Sequence, residues 1–240
     1  MHPWSGDSGV AHLVVLDSSA VPSAADFTAW TAQLAALGFH TVRTGALAPR
    51  PAAQAESAGM RCIQELALLE ATAPFHAGRA ASRARRPAEG DFDRFAEIDR
   101  AAFGDQWTLG APLLRDVLTA TPASRARGVR RRDLGPATLD LAGDEVSRRA
   151  RRDWVGFLLS GRSGHTGYVQ RLAVDPRYQR HGVARSLLDD AFDWFDRHHC
   201  GRALVNTDVA NVAALALYRS CGFEDLPDGL RVFEGPTAAA

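Results

Sequence analysis

The 240-residue sequence contains no lysine: all 28 basic residues are arginine, balanced by 28 acidic ones, so the formal net charge is zero. That balance argues against global binding to nucleic acid or to an acidic membrane surface, both of which draw on excess positive charge. Cysteine is equally sparse. Cys62, Cys200 and Cys221 form an odd set with no C-x-x-C spacing, which indicates neither a disulfide framework nor a zinc site. The histidines are scattered without metal-ligand pairing, and the adjacent His198 and His199 read as dipole-favoured residues at a helix end. No apolar run approaches the ~20 residues of a membrane span, and no positive segment precedes Val10 to Leu16. Cytoplasmic residence is the resulting expectation. What the chain does have is 46% hydrophobic residues, enough for one large or two small soluble cores. The arginine runs at 83–86, 130–132 and 148–152 read as solvated loops and strand ends.

One segment concentrates chemical information. The apolar stretch Leu172-Ala173-Val174 reads as a strand, and Asp175-Pro176-Arg177-Tyr178-Gln179-Arg180-His181-Gly182-Val183-Ala184 leads from it into an amphipathic helix. A Q-x-x-G-x-A turn at a helix start aims unpaired backbone N–H groups at one point, where the helix dipole favours negative charge. Gly182 allows close backbone approach. Between Asp175 and Asp189 the charged side chains are Arg177, Arg180 and Arg185, with His181 among them, so the expected ligand is a phosphate.

A second strand follows at Ala203 to Thr207, then Asn211-Val212-Ala213-Ala214-Leu215-Ala216-Leu217-Tyr218-Arg219-Ser220-Cys221-Gly222-Phe223. The two segments, in this order and spacing, resemble the GNAT family of acyl-CoA-dependent N-acyltransferases over about Arg152 to Glu234, and less strongly from Arg79. The resemblance implies an α/β fold with a mixed, mostly antiparallel central sheet, a splayed strand pair and flanking helices. It implies acetyl-CoA as co-substrate. Backbone groups of Leu172, Ala173 and Val174 would meet its pantetheine arm, the Val174 amide would polarise the thioester carbonyl, and Gln179, Arg180, His181, Gly182, Val183, Ala184 and Arg185 would surround its pyrophosphate. Asn211 matches a residue that hydrogen-bonds the cofactor arm. Tyr218 matches a proton donor to the departing thiolate, a role suited to a phenol. Read as residues alone, Asn211 also suits a helix N-cap and Tyr218 a core position.

The general base is open. Where many members of the family carry Glu, this chain has Gln170, which can orient an amine or a water but cannot accept a proton at neutral pH. Asp208 and Glu97 are other carboxylates near the expected cleft. The acceptor amine, small molecule or peptide, is expected beside Trp107, Gln170 and Asp208. The implied activity is direct acetyl transfer to a primary amine in a ternary complex by a monomer or homodimer; the alternative is a non-catalytic CoA- or partner-binding module. No metal is expected.

The front of the chain echoes the back. Val42-Arg43-Thr44 and Gly59-Met60 stand 163 residues before Val205-Asn206-Thr207 and Gly222-Phe223. The pattern predicts strand Leu13 to Leu16, helix Ala25 to Leu37, strand His40 to Thr44, helix Pro51 to Ala58 and strand Ile63 to Leu69. At the same offset Asn211 becomes Ala48 and Tyr218 becomes Ala55, with no phosphate turn. Residues 1–75 are therefore read as a degenerate GNAT-like half-module, similar in arrangement to the tandem modules of mycothiol synthase, and residues 76–240 as the catalytic domain. Within the latter, the pattern predicts strand Ala80 to Arg85, helix Phe92 to Phe103, helix Leu113 to Leu118, strands Ser124 to Arg130 and Trp154 to Leu159, a turn at Ser160 to Gly164, and a loop or insertion over Arg131 to Arg152.

Overall fold

The computed structural model describes residues 3–4, 7–15, 21–75, 83–134 and 153–237. They form two compact units. The first gathers residues 1–69 with 206–216 and 225–240, and the second residues 70–205 with 217–224. The N-terminal segment thus shares its unit with two stretches from the other end of the chain.

In the first unit, strand β2 (Asp7–Leu13) follows a two-residue strand β1 (Pro3–Trp4) and lies parallel to β3 (Thr41–Thr44). Helix α1 (Ala24–Ala36) makes the crossover between them. Its start is fixed by a capping box in which the Ser23 hydroxyl accepts from the Asp26 N–H and the Asp26 carboxylate accepts from the Ser23 N–H. Helix α2 (Pro49–Ser57) and strand β4 (Arg61–Thr72) follow, and β10 (Leu230–Pro236) inserts antiparallel between β3 and β4. Phe27, Leu34, Val42 and Phe233 close a core against Ala52 and Ala55, whose small side chains let α2 sit close to the sheet. Arg43 and Glu234, opposite each other in the β3–β10 register, form a 2.5 Å ion pair.

In the second unit, β5 (Ala123–Arg130), β6 (Trp154–Ser163) and β7 (Thr166–Val174) form an antiparallel meander, and β7 lies parallel to the start of β8 (Arg202–Asp208). Along β6, Phe157 stacks on Phe95 of α3 (Phe92–Phe103), while the neighbouring Gly156 is closed off by Val183 of α5 (Val183–Arg197). Successive residues face opposite sides of a strand, so α3 and α4 (Ala111–Thr119) cover one face of this sheet and α5 the other. Burial on both faces explains why β6 reads as a nearly continuous apolar run.

Several boundaries differ from the expectations. Strand β6 continues to Ser163 and the hairpin turns at residues 164–165, because Gly161 is a site of close approach and not a turn residue: a Cβ there would stand 2.1 Å from Thr121 Oγ1 and 2.9 Å from Gln170. Strand β2 ends at Leu13 where the apolar run predicted its beginning, and Leu16 is outside the described residues. Of the strand predicted over Ala80 to Arg85, residues 80–82 are outside the described residues and Arg85 bridges to Gly128. Of the 131–152 segment, Arg131–Asp133 form a 3-10 turn and 135–152 are outside the described residues.

The 163-residue offset is visible in local geometry. Helix α2 spans Pro49–Ser57 and α6 spans Val212–Ser220, so both ends match at that offset. Gly59 and Gly222 follow with φ of 82° and 89°, and the Met60 N–H to Ala55 carbonyl bond and the Phe223 N–H to Tyr218 carbonyl bond are both 3.1 Å. The two helices differ at their starts. Asn211 Oδ1 accepts from the Ala214 N–H, whereas Ala48 offers no side-chain cap.

Candidate active site

Among the described residues, the second unit holds a strand whose edge is only half used. The β7–β8 ladder runs from Thr166↔Arg202 to Val169↔Val205. At the same point the register with β6 slips from Ser160↔Val169 to Leu159↔Arg171, leaving Gln170 as the extra residue of a β-bulge. Beyond the bulge, Asp175 N–H donates to the Val155 carbonyl at 2.9 Å, which makes that pair a hydrogen-bonded one. Antiparallel alternation then turns the peptide groups of Ala173 and Arg171 toward β6, and those of Leu172 and Val174 away from it. Leu172 and Val174 therefore present N–H and C=O groups along the free edge. The Val174 carbonyl is approached there by Gln179 Nε2 at 3.4 Å.

The strand feeds a charged, tightly held turn. The buried Asp175 carboxylate caps the 3-10 turn Pro176–Tyr178 and accepts from the Arg177 N–H, Nε and Nη2 and from Arg94 Nη2. Burial would raise its pKa, but hydrogen bonds from Arg177 and the charges of Arg177 and Arg94 outweigh that and hold it below the usual carboxylate range. Arg180 and Gly182 then take positive φ, 63° and 75°, and Gly182 is the N-cap of α5. The ring Nδ1 of His181 lies 2.7 Å from the Gln179 carbonyl. The first helical bond runs from Ser186 N–H to the Gly182 carbonyl, so the amides of Val183, Ala184 and Arg185 open the helix without intrahelical acceptors. Nothing lies within 4 Å of where a Gly182 Cβ would be. The first turn of α5 carries no acidic residue to complement the dipole and carries Arg185, a charge pattern that suits an anion. Arg185 is tethered to the Ser220 carbonyl and hydroxyl, and Arg83, from the arginine run that the sequence suggested to be a solvated loop, reaches the His181 carbonyl and binds Ser186 Oγ through its N–H.

Tyr218 is buried and lies edge-on to Phe223, with ring centroids 5.6 Å apart. Burial pushes its phenol above the usual range, with Arg171 pulling weakly the other way, so the hydroxyl keeps its proton. Gln170 is fixed by Nε2 donating to the Val117 carbonyl of α4 at 3.0 Å, while its Oε1 is buried without a partner. Asp208 and Asn211 belong to the first unit. There both Asp208 oxygens are engaged, one by Gln64 Nε2 at 2.8 Å and one by the Ala210 N–H at 2.7 Å, and Asn211 caps α6. Glu97 is an exposed partner of Arg94.

The sequence reading missed the most completely bonded charge near the bulge. Asp99 on α3 is fully buried and accepts from Arg171 Nε and Nη2 at 2.7 and 2.8 Å and from the Leu109 N–H at 2.7 Å. The signal was present: Asp99 falls on the apolar stripe of Phe92, Phe95, Ile98 and Ala102, and Arg171 interrupts an apolar strand. Among the described residues, no group of three or more His, Cys, Asp or Glu is placed to hold a metal ion, and no helix is long and apolar enough to cross a membrane.

Comparison with known proteins bears on the fold and on one segment of the chain. Residues 137–223 match the model of the acetyltransferase (GNAT) family. N-alpha-acetyltransferase 30 of Saccharomyces cerevisiae is 44% identical over 57 residues, which are 24% of this chain and 32% of that protein. The [ribosomal protein bS18]-alanine N-acetyltransferase of Escherichia coli is 39% identical over 54 residues, 22% of this chain and 36% of that one. The chain thus spans about a third of the length of these relatives. Among solved structures, a tandem GNAT protein from the clavulanic acid biosynthesis pathway superposes with a TM-score of 0.63 at 11% identity, covering 90% of this chain and 70% of that one. A putative GNAT acetyltransferase from Novosphingobium aromaticivorans gives 0.53 at 15% identity, covering 75% of this chain and 69% of that one. The fold is that of the GNAT proteins, and residues 137–223 are similar to the GNAT family.

Proposed function

We propose that this chain, built on a GNAT fold with the family's module at residues 137–223, is an acetyl-CoA-dependent N-acetyltransferase that acts on a primary amine by direct attack in a ternary complex. One observation carries the reading: the outward-facing peptide groups of Leu172 and Val174 run straight into a turn whose Gly182 opens a helix with unsatisfied amides and three nearby arginines. An elongated ligand with amides at one end and phosphates at the other satisfies both. Leu172 and Val174 would line the pantetheine arm, with Ala173 between them turned toward β6, and Gln179, Arg180, His181, Gly182, Val183, Ala184 and Arg185 the pyrophosphate.

Acetyl-CoA supplies the activated acyl group as a thioester. The Val174 N–H donates to the carbonyl oxygen as charge builds there. Tyr218, kept protonated by burial, gives its proton to the sulfur as the C–S bond breaks and the new C–N bond forms, and regains one from solvent. Gln170 would orient the incoming amine or a water. The amine arrives partly deprotonated and loses its second proton to water. The relatives named for protein N-terminal and ribosomal alanine acetylation favour a peptide α-amine as acceptor.

A non-catalytic CoA-binding module is the second reading, favoured by the amide of Gln170 at the place of a carboxylate. Mass spectrometry of peptides with free and blocked α-amines, incubated with protein and acetyl-CoA, separates the two. Acetylation confined to the free α-amine is expected; saturable CoA binding with no acetylated product would establish the second reading instead.

A further inference from the structure

The side chain of Arg171 joins the bulged strand to helix α3 and to the segment from 104 to 110. Its guanidinium forks onto Asp99 with bonds of 2.7 and 2.8 Å, donates a third bond to the Trp107 carbonyl at 2.7 Å, and lies 3.7 Å above the Phe103 ring centroid. Asp99 in turn takes the Leu109 N–H. Residues 107 and 109 are thus tied, by a carbonyl and an amide, to an ion pair whose carboxylate is wholly excluded from water. Within the segment Gly104 ends α3 at φ 73°, Asp105 pairs with Arg100 at 3.6 Å, Leu109 packs on the core, and Gly110 caps α4 without a side-chain bond. An interior ion pair this completely bonded has low tolerance for displacement, because each unmade bond would leave a charge without solvent.

We propose that the Asp99–Arg171 pair is a positioning clamp that holds the 104–110 segment against the β7 bulge and thereby shapes the acceptor side of the site. This rests on the acetyltransferase reading. The peptide groups that suit CoA begin one residue further on, at Leu172, and face the free edge, while Arg171's side chain is committed to α3. The clamp therefore acts on the amine and not on CoA. It also binds neighbouring positions of the bulge to two different helices, Gln170 to α4 through Val117 and Arg171 to α3 through Asp99. A shift of the 104–110 segment would move the acceptor relative to the thioester without altering any peptide group that would hold the cofactor. Displacements near 1 Å can cost about 100-fold in turnover.

The test compares Arg171→Lys, which keeps the charge but not the fork, and Asp99→Asn, which keeps an acceptor for Leu109 but presents an amide to Arg171, in the full chain. Steady-state KM for acetyl-CoA and for a peptide α-amine is measured alongside amide hydrogen exchange at Leu109 and Phe157. The clamp predicts an acceptor KM raised about 10- to 100-fold with an acetyl-CoA KM within about 2-fold of wild type, and Leu109 exchange faster by about 10-fold with Phe157 unchanged. A parallel rise in both KM values, no change in either, or an unaltered Leu109 amide would overturn it. If Asp99→Asn is too unstable to assay, Arg171→Lys alone decides. A wild-type protein that binds CoA but turns over no amine would remove the acetyltransferase reading and the clamp's role with it, an outcome distinct from variants that merely leave KM unchanged.

Discussion

Arg94 Nη2 lies 3.2 Å from Asp175 Oδ2, so a side chain on α3 holds the carboxylate that opens the turn into α5. Arg94 also binds Asp153 at 2.9 Å and the Trp154 carbonyl at 3.3 Å, which anchors this turn to the start of β6. Asp175 should be the main stability determinant of the turn. Replacing it by Ala removes the buried acceptor shared by Arg94 and Arg177 and is expected to cost about 3 kcal/mol. Arg177→Ala should cost far less, because its side chain is 70% exposed. Urea denaturation of both variants measures the difference; equal costs would mean that the turn is held by something else.

The same carboxylate sets an acid limit. Its pKa is depressed in the folded chain, so the stability it contributes is fully present above the unfolded value of about 3.9 and is lost as pH falls through the lower folded value. Wild-type stability should fall below about pH 4, and Asp175→Asn, already weaker, should fall less over that window. Parallel acid profiles for the two proteins would assign the loss to other carboxylates.

Gly182 is needed for its backbone angle, with open space beyond it. Gly182→Ala should lose about 1 kcal/mol of stability from the left-handed conformation alone. Gly182→Glu adds a negative charge to the helix N-terminus where phosphate would lie, and CoA affinity by calorimetry should fall at least about 10-fold. Unchanged affinity in the Glu variant would move the pyrophosphate elsewhere.

Tyr218→Phe should retain CoA binding and lower kcat by about 100-fold. Because burial raises the phenol's pKa, the hydroxyl remains a donor through the neutral and mildly alkaline range, and Tyr218 should add no loss of rate as pH rises toward 10, the ordinary value for the group. An undiminished kcat in the Phe variant would return Tyr218 to a packing role against Phe223.

The turn proposed to hold the pyrophosphate lies in the second unit, and none like it occurs among the described residues of the first, so titration should show one CoA per chain. Deleting residues 1–75 would strip β10 of both β3 and β4 and expose Phe233 and its neighbours, so solubility should fall sharply. Two CoA per chain, or a stable and soluble truncated protein, would contradict the role of the front segment as a supporting half-module.

Local signals made much of this legible. Helix α3 spans the residues its apolar spacing predicts, ended by a glycine at positive φ. The helix that starts after Gly182 was written in the strand-turn-helix order itself. Partners distant in sequence were not legible. Val14 and Val15 look like a strand centre, yet Val14 is 50% exposed, because pairing with β3 selects Val10 to Leu13. Asp208 reads as a free carboxylate until Gln64, 144 residues earlier, is seen to occupy it. No local rule places β10 between β3 and β4, and none pairs Asp99 with Arg171; each charge on an apolar stripe only announces that some partner exists.

The central claim is most directly tested by release of free thiol when the protein is mixed with acetyl-CoA and a peptide bearing a free α-amine. Release that requires both reactants, and that falls in Tyr218→Phe while CoA binding persists, is the predicted result. Tight CoA binding with no thiol release for any amine offered would contradict it.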